Sequence, residues 1–416
     1  MKLRLISITL FSAIVILFEI ATAARPTHSS AAAPNVSAPA INSIHLAGST
    51  TYTIYFPIIN NCYPLPSITD PYFVSGYQFD MSAINADWAW QHCSTGSPNI
   101  VVAVIDTGVS LNHPDLNANL IGGYDFVDYD SIAQDGNGHG SNVAGIIGAA
   151  LNGVGVVGVA PNTHILPVRV LDDNGSGWSS DVIDGIVFAA DNAQILNLSL
   201  GSTYGSILSS AIDYAVNTRQ RLVVAAAGNC GNSSYYLNGC SAQNQYVYPG
   251  AYSIDYPGGV IAVGAVNNYD NHASFSNSDP YVTVSAPGVG IYSDYLGSGY
   301  ASETGTSQAT PHVAGLAALI WAKHPEYTAA QVEYVITSTA VDLGPIGQDD
   351  DFGWGRIDVQ AALNSIGVTA FQAASVSASI DLPHPIDHRT AKIVAGQVLI
   401  KFKSGMKAAG IDWALS

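Results

Sequence analysis

Basic side chains are scarce. The 416 residues include 13 Lys and Arg against 31 Asp and Glu, a formal charge of −18. A nucleic-acid binder neutralises phosphates with clustered Lys and Arg, so that class is excluded. Only 11% of residues are charged while 48% are hydrophobic, which excludes wholesale disorder. Beyond the extreme N-terminus no apolar run is long enough to span a bilayer, so the chain is not a polytopic membrane protein. Cysteine is limited to Cys62, Cys93, Cys230 and Cys240.

What charge there is lies unevenly. Residues 66–366 hold five basic side chains, Arg169, Arg219, Arg221, Lys323 and Arg356, against 27 acidic ones, a balance of −22. The last 50 residues carry five basic residues against three acids. This shift marks a boundary near residue 366.

Met1–Arg4 is a positive n-region, Leu5–Ile20 an apolar stretch, and Ala21-Thr22-Ala23 an A-x-A cleavage site. Residues 1–23 therefore read as a secretory signal peptide, and the mature protein as extracellular and free of the membrane. Secretion makes the cysteines disulfide candidates. Of three possible pairings, Cys230–Cys240 closes a Gly/Asn/Ser-rich loop and is favoured, with Cys62–Cys93 by default. Residues 24–65 are rich in Ala, Ser, Pro, Thr and Asn and read as a linker containing one strand, Thr51–Ile59. Residues 367–416 read as a second polar connector followed by one strand, Val394–Phe402.

Within 66–366, apolar runs alternate with helical segments of small residues. Ile100–Ile105, Ile165–Leu171, Ile195–Leu200, Leu222–Ala226, Val260–Val266 and Val282–Val284 read as strands buried on both faces. Ser141–Leu151, Asp181–Ala190, Ile207–Val216 and Gln308–Lys323 read as helices. This order predicts a doubly wound, mostly parallel α/β sheet with helices on both faces. In such sheets ligands bind beyond the carboxyl ends of the strands, where this chain concentrates its polar residues.

Three segments carry candidate chemistry. Asp106 ends a hydrophobic strand, where a carboxylate needs a partner, although an Asp there can simply cap a turn. Asp135-Gly136-Asn137-Gly138-His139-Gly140 opens a helix, with glycines that let another backbone come close. Gly305-Thr306-Ser307 opens another, with Pro311 near enough to its start to be tolerated. Together they supply orienter, base and nucleophile in the order Asp, His, Ser. On these motifs the chain resembles the subtilisin-like serine peptidases over most of residues 68–366. Asp70-Pro71-Tyr72-Phe73, Asp125-Phe126-Val127-Asp128 and Asp130-Ser131 bring it nearest their thermitase branch.

The resemblance implies a mechanism. Ser307 would attack a peptide carbonyl, His139 would shuttle the proton, and Asp106 would hold the imidazole, with Thr107 hydrogen-bonded to that carboxylate. Asn229 would donate to the oxyanion. Protein and peptide substrates would lie extended between Ser199-Leu200-Gly201 and Ala226-Ala227-Gly228. Val247, preceding Tyr248-Pro249, stands where the family has Gly at the floor of its main specificity pocket. A monomer is expected.

The resemblance also implies structural Ca2+. One site would use the side chains of Asp70, Asp115 and Asn152 with the carbonyls of Ala150, Val154 and Val156. A weaker one would use Asp125, Asp130 and Gln134, with Asp128 close by. Asp349-Asp350-Asp351 reads instead as solvated surface, and His384 and His388 as no metal site. The chain departs from the family at Ser141-Asn142, where Thr-His is usual, and at Gln308, where Met is usual; neither position is expected to carry chemistry. Residues 24–65 are too short and polar for the family's prodomain, whose first strand Gly396–Gly405 resembles. Two other functions compete: a secreted binding protein on an inactive peptidase scaffold, and an esterase or acyl transferase using the same triad. Intact Asp106, His139, Asn229 and Ser307 speak against the first, and the absence of a G-x-S-x-G elbow against the second.

Overall fold

The computed structural model describes residues 68–369, apart from Cys93 and 233–239, together with five short strand segments outside that span. The chain forms two compact units, one from Met1–Pro57 with Gln372–Ser416, the other Ile58–Phe371. The first opens with β1 (Ser43–Ile44) and β2 (Thr51–Ile54).

The second unit is built on a sheet of seven strands: β3 (Val101–Asp106), β4 (Tyr124–Asp125), β5 (His164–Arg169), β6 (Ile195–Leu198), β7 (Leu222–Ala226), β8 (Val260–Val266) and β9 (Val284–Pro287). Their order is β4-β5-β3-β6-β7-β8-β9, and every pairing is parallel. From β3 the chain crosses to the edge strand β4, steps back inward to β5, and then passes to β6 on the other side of β3. The switch in winding falls between β3 and β6, where a doubly wound sheet opens a crevice. A hairpin of β10 (Ile291–Asp294) and β11 (Tyr300–Glu303) stands apart from this sheet.

Both faces are covered, which is why the strands read as continuous apolar runs. Val102, Val104, Ile195, Val224 and Val263 pack on one side with the helices His139–Gly148, Thr306–Lys323 and Ala329–Ser338. Ala103, Ile105, Leu196, Val223 and Ala225 pack on the other with the helices Ser179–Asn192 and Ser209–Asp213. Consecutive residues of one strand thus enter different cores, as the period of two requires. The α/β class expected from the sequence is the fold observed.

The helix His139–Gly148 is buried on nearly every side, as a helix inside a large core must be. Small residues permit this. A side chain at Gly140 would meet the Gly108 carbonyl oxygen at 2.1 Å.

The chain then returns to the first unit through β12 (Val376–Ser379), β13 (Lys392–Val394) and β14 (Gln397–Leu399). β12 runs parallel to β1 and antiparallel to β2, and β13 pairs with β14 antiparallel. β2 lies within the first expected terminal strand, Thr51–Ile59, whereas the second, Val394–Phe402, is not one strand but is divided between β13 and its antiparallel partner β14. The signal peptide and the rest of both connectors lie outside the described residues.

Candidate active site

β3 carries Asp106 to the carboxyl edge of the sheet, where it is fully buried. Its Oδ1 accepts from the backbone N–H of Thr107 at 2.7 Å and faces Nδ1 of His139 at 2.8 Å. Thr107 does bond Asp106, but through its backbone. Its hydroxyl goes elsewhere, donating to Asp135 Oδ1 at 2.9 Å and accepting from the Gly140 amide.

Asp135 is the residue that the sequence reading undervalued. It is buried, and five donors converge on its two oxygens. Oδ1 takes the Thr107 hydroxyl and the amides of Asn137 and Gly138. Oδ2 takes the amide and hydroxyl of Ser141. This carboxylate pins the turn that begins the His139 helix. An Asp followed by Gly-Asn-Gly looks like an ordinary turn residue, and only the folded chain brings Thr107 and Ser141 to it. Ser141 thus has a definite task.

His139 is partly exposed, with one quarter of its side chain accessible. Burial disfavours its charged form. The Asp106 carboxylate bonded to it, with Glu303 and Asp135 behind, outweighs this and pushes its pKa up to about 9. Gln308 is also more than a spacer, since its Nε2 donates to Glu303 Oε2 at 2.8 Å.

Ser307 lies in the first turn of the helix Thr306–Lys323. Pro311, four residues on, has no N–H to give the Ser307 carbonyl. The Ser199 hydroxyl fills that place at 2.7 Å. In return the Ser307 hydroxyl donates to the Ser199 carbonyl at 2.9 Å. The hydroxyl is therefore turned toward Ser199, not His139. Such bonds commonly tighten only when substrate binds.

Asn229 follows β7. Its Oδ1 accepts both the backbone N–H and the hydroxyl of Thr306, each at 3.0 Å. This fixes the oxygen as the end of the amide held by Thr306 and turns its nitrogen away from that residue.

A cleft of about 340 Å3 opens beside Ser307, lined by Leu200, Gly201, Ala226, Gly228, Asn229 and Val247 among others. Ser199 and Ala227 do not line it. β6 and β7 pair up to Leu198 and Ala225, and the segments beyond them form its walls. Val247 stands between these walls. A side chain at Gly201 would meet its Cγ1 at 2.3 Å, and one at Gly228 its Cγ2 at 2.5 Å. Cys230 and Cys240 both border the cleft, with Cα atoms 6.0 Å apart, a separation a disulfide can bridge. Cys62 and Cys93 lie outside the described residues. A cleft of about 420 Å3 lined by Asn99, Arg219 and Trp321 contains none of the expected site residues.

The chain matches the subtilase family over residues 97–355. It belongs to that family. It is 45% identical to thermitase of Thermoactinomyces vulgaris over 281 residues, covering 67% of this chain and 93% of thermitase. It is 44% identical to a thermophilic serine proteinase of Bacillus sp. (strain AK1) over 292 residues, covering 70% of this chain and 67% of that protein. A cold-adapted subtilisin-like serine proteinase of known structure aligns with a TM-score of 0.52 at 35% identity, over 62% of this chain and 86% of the other. The chain is thus a subtilisin-like serine peptidase, a hydrolase of peptide bonds whose substrates are proteins.

Subtilases commonly bind Ca2+, and the first expected ligand set fits a cation. Asp70 and Asp115 are fully buried. Asp70 Oδ1 accepts the amides of Asn152 and Gly153, and Asp115 Oδ2 accepts the Val156 amide and the Tyr300 hydroxyl. The remaining oxygens, Asp70 Oδ2 and Asp115 Oδ1, are buried without a donor. Burial pushes both carboxyl groups up, the condition a hard cation relieves. The carbonyls of Ala150, Val154 and Val156 belong to the same stretch of chain. In the second set, Arg169 already bridges Asp125 and Asp128 at 2.7 and 2.6 Å. Asp130 accepts the Ile132 amide, and Gln134 is bonded to the backbone of Leu111 and Asp135. A cation there would compete with a guanidinium.

Proposed function

We propose that this subtilase is a secreted monomeric endopeptidase of broad specificity, working through Asp106, His139 and Ser307 and an acyl-enzyme. The observation that carries the reading is the 2.8 Å bond between buried Asp106 and His139, in a chain whose Ser307 and Asn229 line one cleft. Rotation about the Ser307 Cα–Cβ bond would release its hydroxyl from the Ser199 carbonyl. His139 Nε2 then takes the proton as Oγ attacks the peptide carbonyl, and returns it to the leaving amine. Asp106 fixes the Nδ1–H tautomer and stabilises the imidazolium. The Asn229 amide and the Ser307 backbone N–H would receive the oxyanion. Water then hydrolyses the acyl-enzyme by the same shuttle. Clearing of casein by the purified secreted protein tests the reading, and intact casein at high enzyme concentration would refute it.

Substrate would add as a strand between Ser199–Gly201 and Ala226–Gly228. Main-chain bonds read no side chain, so selectivity falls to the cleft. Val247 fills space between two glycine walls, favouring small or medium apolar residues on the acyl side of the cut. Val247→Gly is expected to broaden cleavage toward Phe and Tyr by about 1–3 kcal/mol, the scale of hydrophobic pocket discrimination. One peptide library cut by both proteins measures this, and identical profiles would remove Val247 from the pocket.

The signal-like residues 1–23, together with a Cys230–Cys240 pair placed for a disulfide of the kind an oxidising compartment allows, support secretion. Among the described residues no helix is long and apolar enough to cross a membrane. The acidic balance speaks against nucleic-acid partners.

Structural Ca2+ would be held by Asp70, Asp115, Asn152 and the neighbouring carbonyls. A ligand bound only by the folded state stabilises it by roughly 2.7 kcal/mol at a hundredfold excess over its Kd. Chelator is therefore expected to lower the Tm, and Asp70→Ala to remove most of that response. An unchanged melt after exhaustive chelation would reject the site.

A further inference from the structure

β10 ends on Asp294, which is wholly buried, and among the described residues no donor meets either of its oxygens. Its Oδ1 lies 3.5 Å from Nδ1 of His113. Ligand atoms of His113, Asp115 and Asp294 all fall within 4.8 Å of one another.

The tautomer of His113 follows from its surroundings. Nε2 faces the Gly299 carbonyl at 3.0 Å, an acceptor, so Nε2 carries the hydrogen. Nδ1 faces the Asp115 backbone N–H at 3.3 Å, a donor, so Nδ1 presents its lone pair. Asp115 Oδ1 is buried and also lacks a donor. Acceptors from three side chains therefore converge, and among the described residues neither Asp294 oxygen nor Asp115 Oδ1 receives a hydrogen from a donor group. Buried carboxylates left in that state are costly.

We propose that His113, Asp115 and Asp294 form a second metal site, which takes a transition-metal dication of the Zn2+ type and shares Asp115 with the calcium set. One imidazole and two carboxylates suit such an ion better than Ca2+, which takes oxygen ligands. The spacing agrees: bonds of about 2.1 Å in a tetrahedron put ligand atoms roughly 3.4 Å apart, close to the His113–Asp294 separation. The outer partners are also in place. Metal-bound histidines usually donate their second ring N–H to a carbonyl or carboxylate, as His113 does to Gly299. The far oxygen of Asp115 is held by Val156 and Tyr300. His113 and Asp294 lie outside the calcium ligand set, so a substitution at either tests this site without removing a calcium ligand.

The full chain, blocked with a serine-directed phosphonate to prevent autolysis, is stripped with chelator. It is then dialysed against Zn2+, Co2+ or Ca2+ in turn. One Zn2+ per chain is expected, raising the Tm, retained by Asp70→Ala and lost in Asp294→Asn. The asparagine amide supplies the missing hydrogen, so Asp294→Asn should fold in chelator with a Tm no lower than that of the parent. Co2+ reads the parent protein without any substitution. Intense visible bands, abolished by Zn2+, mark a low-symmetry nitrogen and oxygen site. Absence of bound Zn2+ and of those bands would overturn the proposal, and would assign the cluster a shared proton instead. Equal Zn2+ content in the parent and Asp294→Asn would overturn it too. Loss of the Ca2+ response alone would refute only the calcium reading.

Discussion

Ser307→Ala and His139→Ala are each expected to lower kcat by roughly 10⁶, the size of loss seen when either partner is removed from subtilisin itself. Both should fall to a similar floor, because a nucleophile without its base is as inert as a base without its nucleophile. The double variant should lose almost nothing more. Turnover of a chromogenic peptide, with each protein freed of active contaminant, measures all three. A Ser307→Ala protein that kept parental turnover would end the triad reading. The same assay on the parent protein has a pH signature. His139 acts as a base only when neutral, and its pKa is pushed up to about 9. kcat/KM should therefore rise with pH through that region. Glu303→Gln removes one of the negative charges that hold the proton on, so its profile should shift toward lower pH. A profile rising near pH 6.5, the ordinary imidazole value, would show that Asp106, Glu303 and Asp135 do not act on the ring as described.

Asn229→Ala should cost about 10²–10³ in kcat with little change in KM, the loss recorded for the matching donor of subtilisin. The amide would meet charge only as the carbonyl oxygen becomes an oxyanion, so substrate binding should barely register its removal. Thr306 adds a second test, because its backbone N–H and hydroxyl both hold Asn229 Oδ1. Thr306→Ala removes one of the two bonds and should lower kcat by a smaller factor. Steady-state kinetics on one peptide substrate separates the two parameters. Equal increases in KM would recast Asn229 as a ground-state contact.

The parts of this fold most legible in the sequence are those where one physical cause dominates. Leu222–Ala226 and Val260–Val266 are strands with the expected bounds, because burial on both faces leaves an uninterrupted apolar run. The run Val282–Val284 misled slightly, since the strand occupies Val284–Pro287. The β10–β11 hairpin gave no such signal. Its residues mix Tyr, Ser, Ala and acids, and cross-strand pairing with tyrosine packing holds it. That hairpin delivers both Glu303 and Asp294, so missing it hid the second carboxylate behind His139 and the buried cluster beside Asp115. The hydrogen bonds of Ser141 and Gln308, positions expected to carry no chemistry, were hidden for a related reason. Their partners, Asp135 and Glu303, are set by tertiary contact, which no local pattern announces.

Pro311 has a consequence for how force travels through this enzyme. By withholding a rung from its own helix, it leaves the Ser307 carbonyl to the hydroxyl of Ser199, while the Ser307 hydroxyl rests on the Ser199 carbonyl. Two residues 108 positions apart in sequence are thereby fastened at both ends. Ser199 heads the segment on which a peptide would be laid. A substrate laid there would bear on the same two bonds, and would so couple arrival of the peptide to release of the Ser307 hydroxyl.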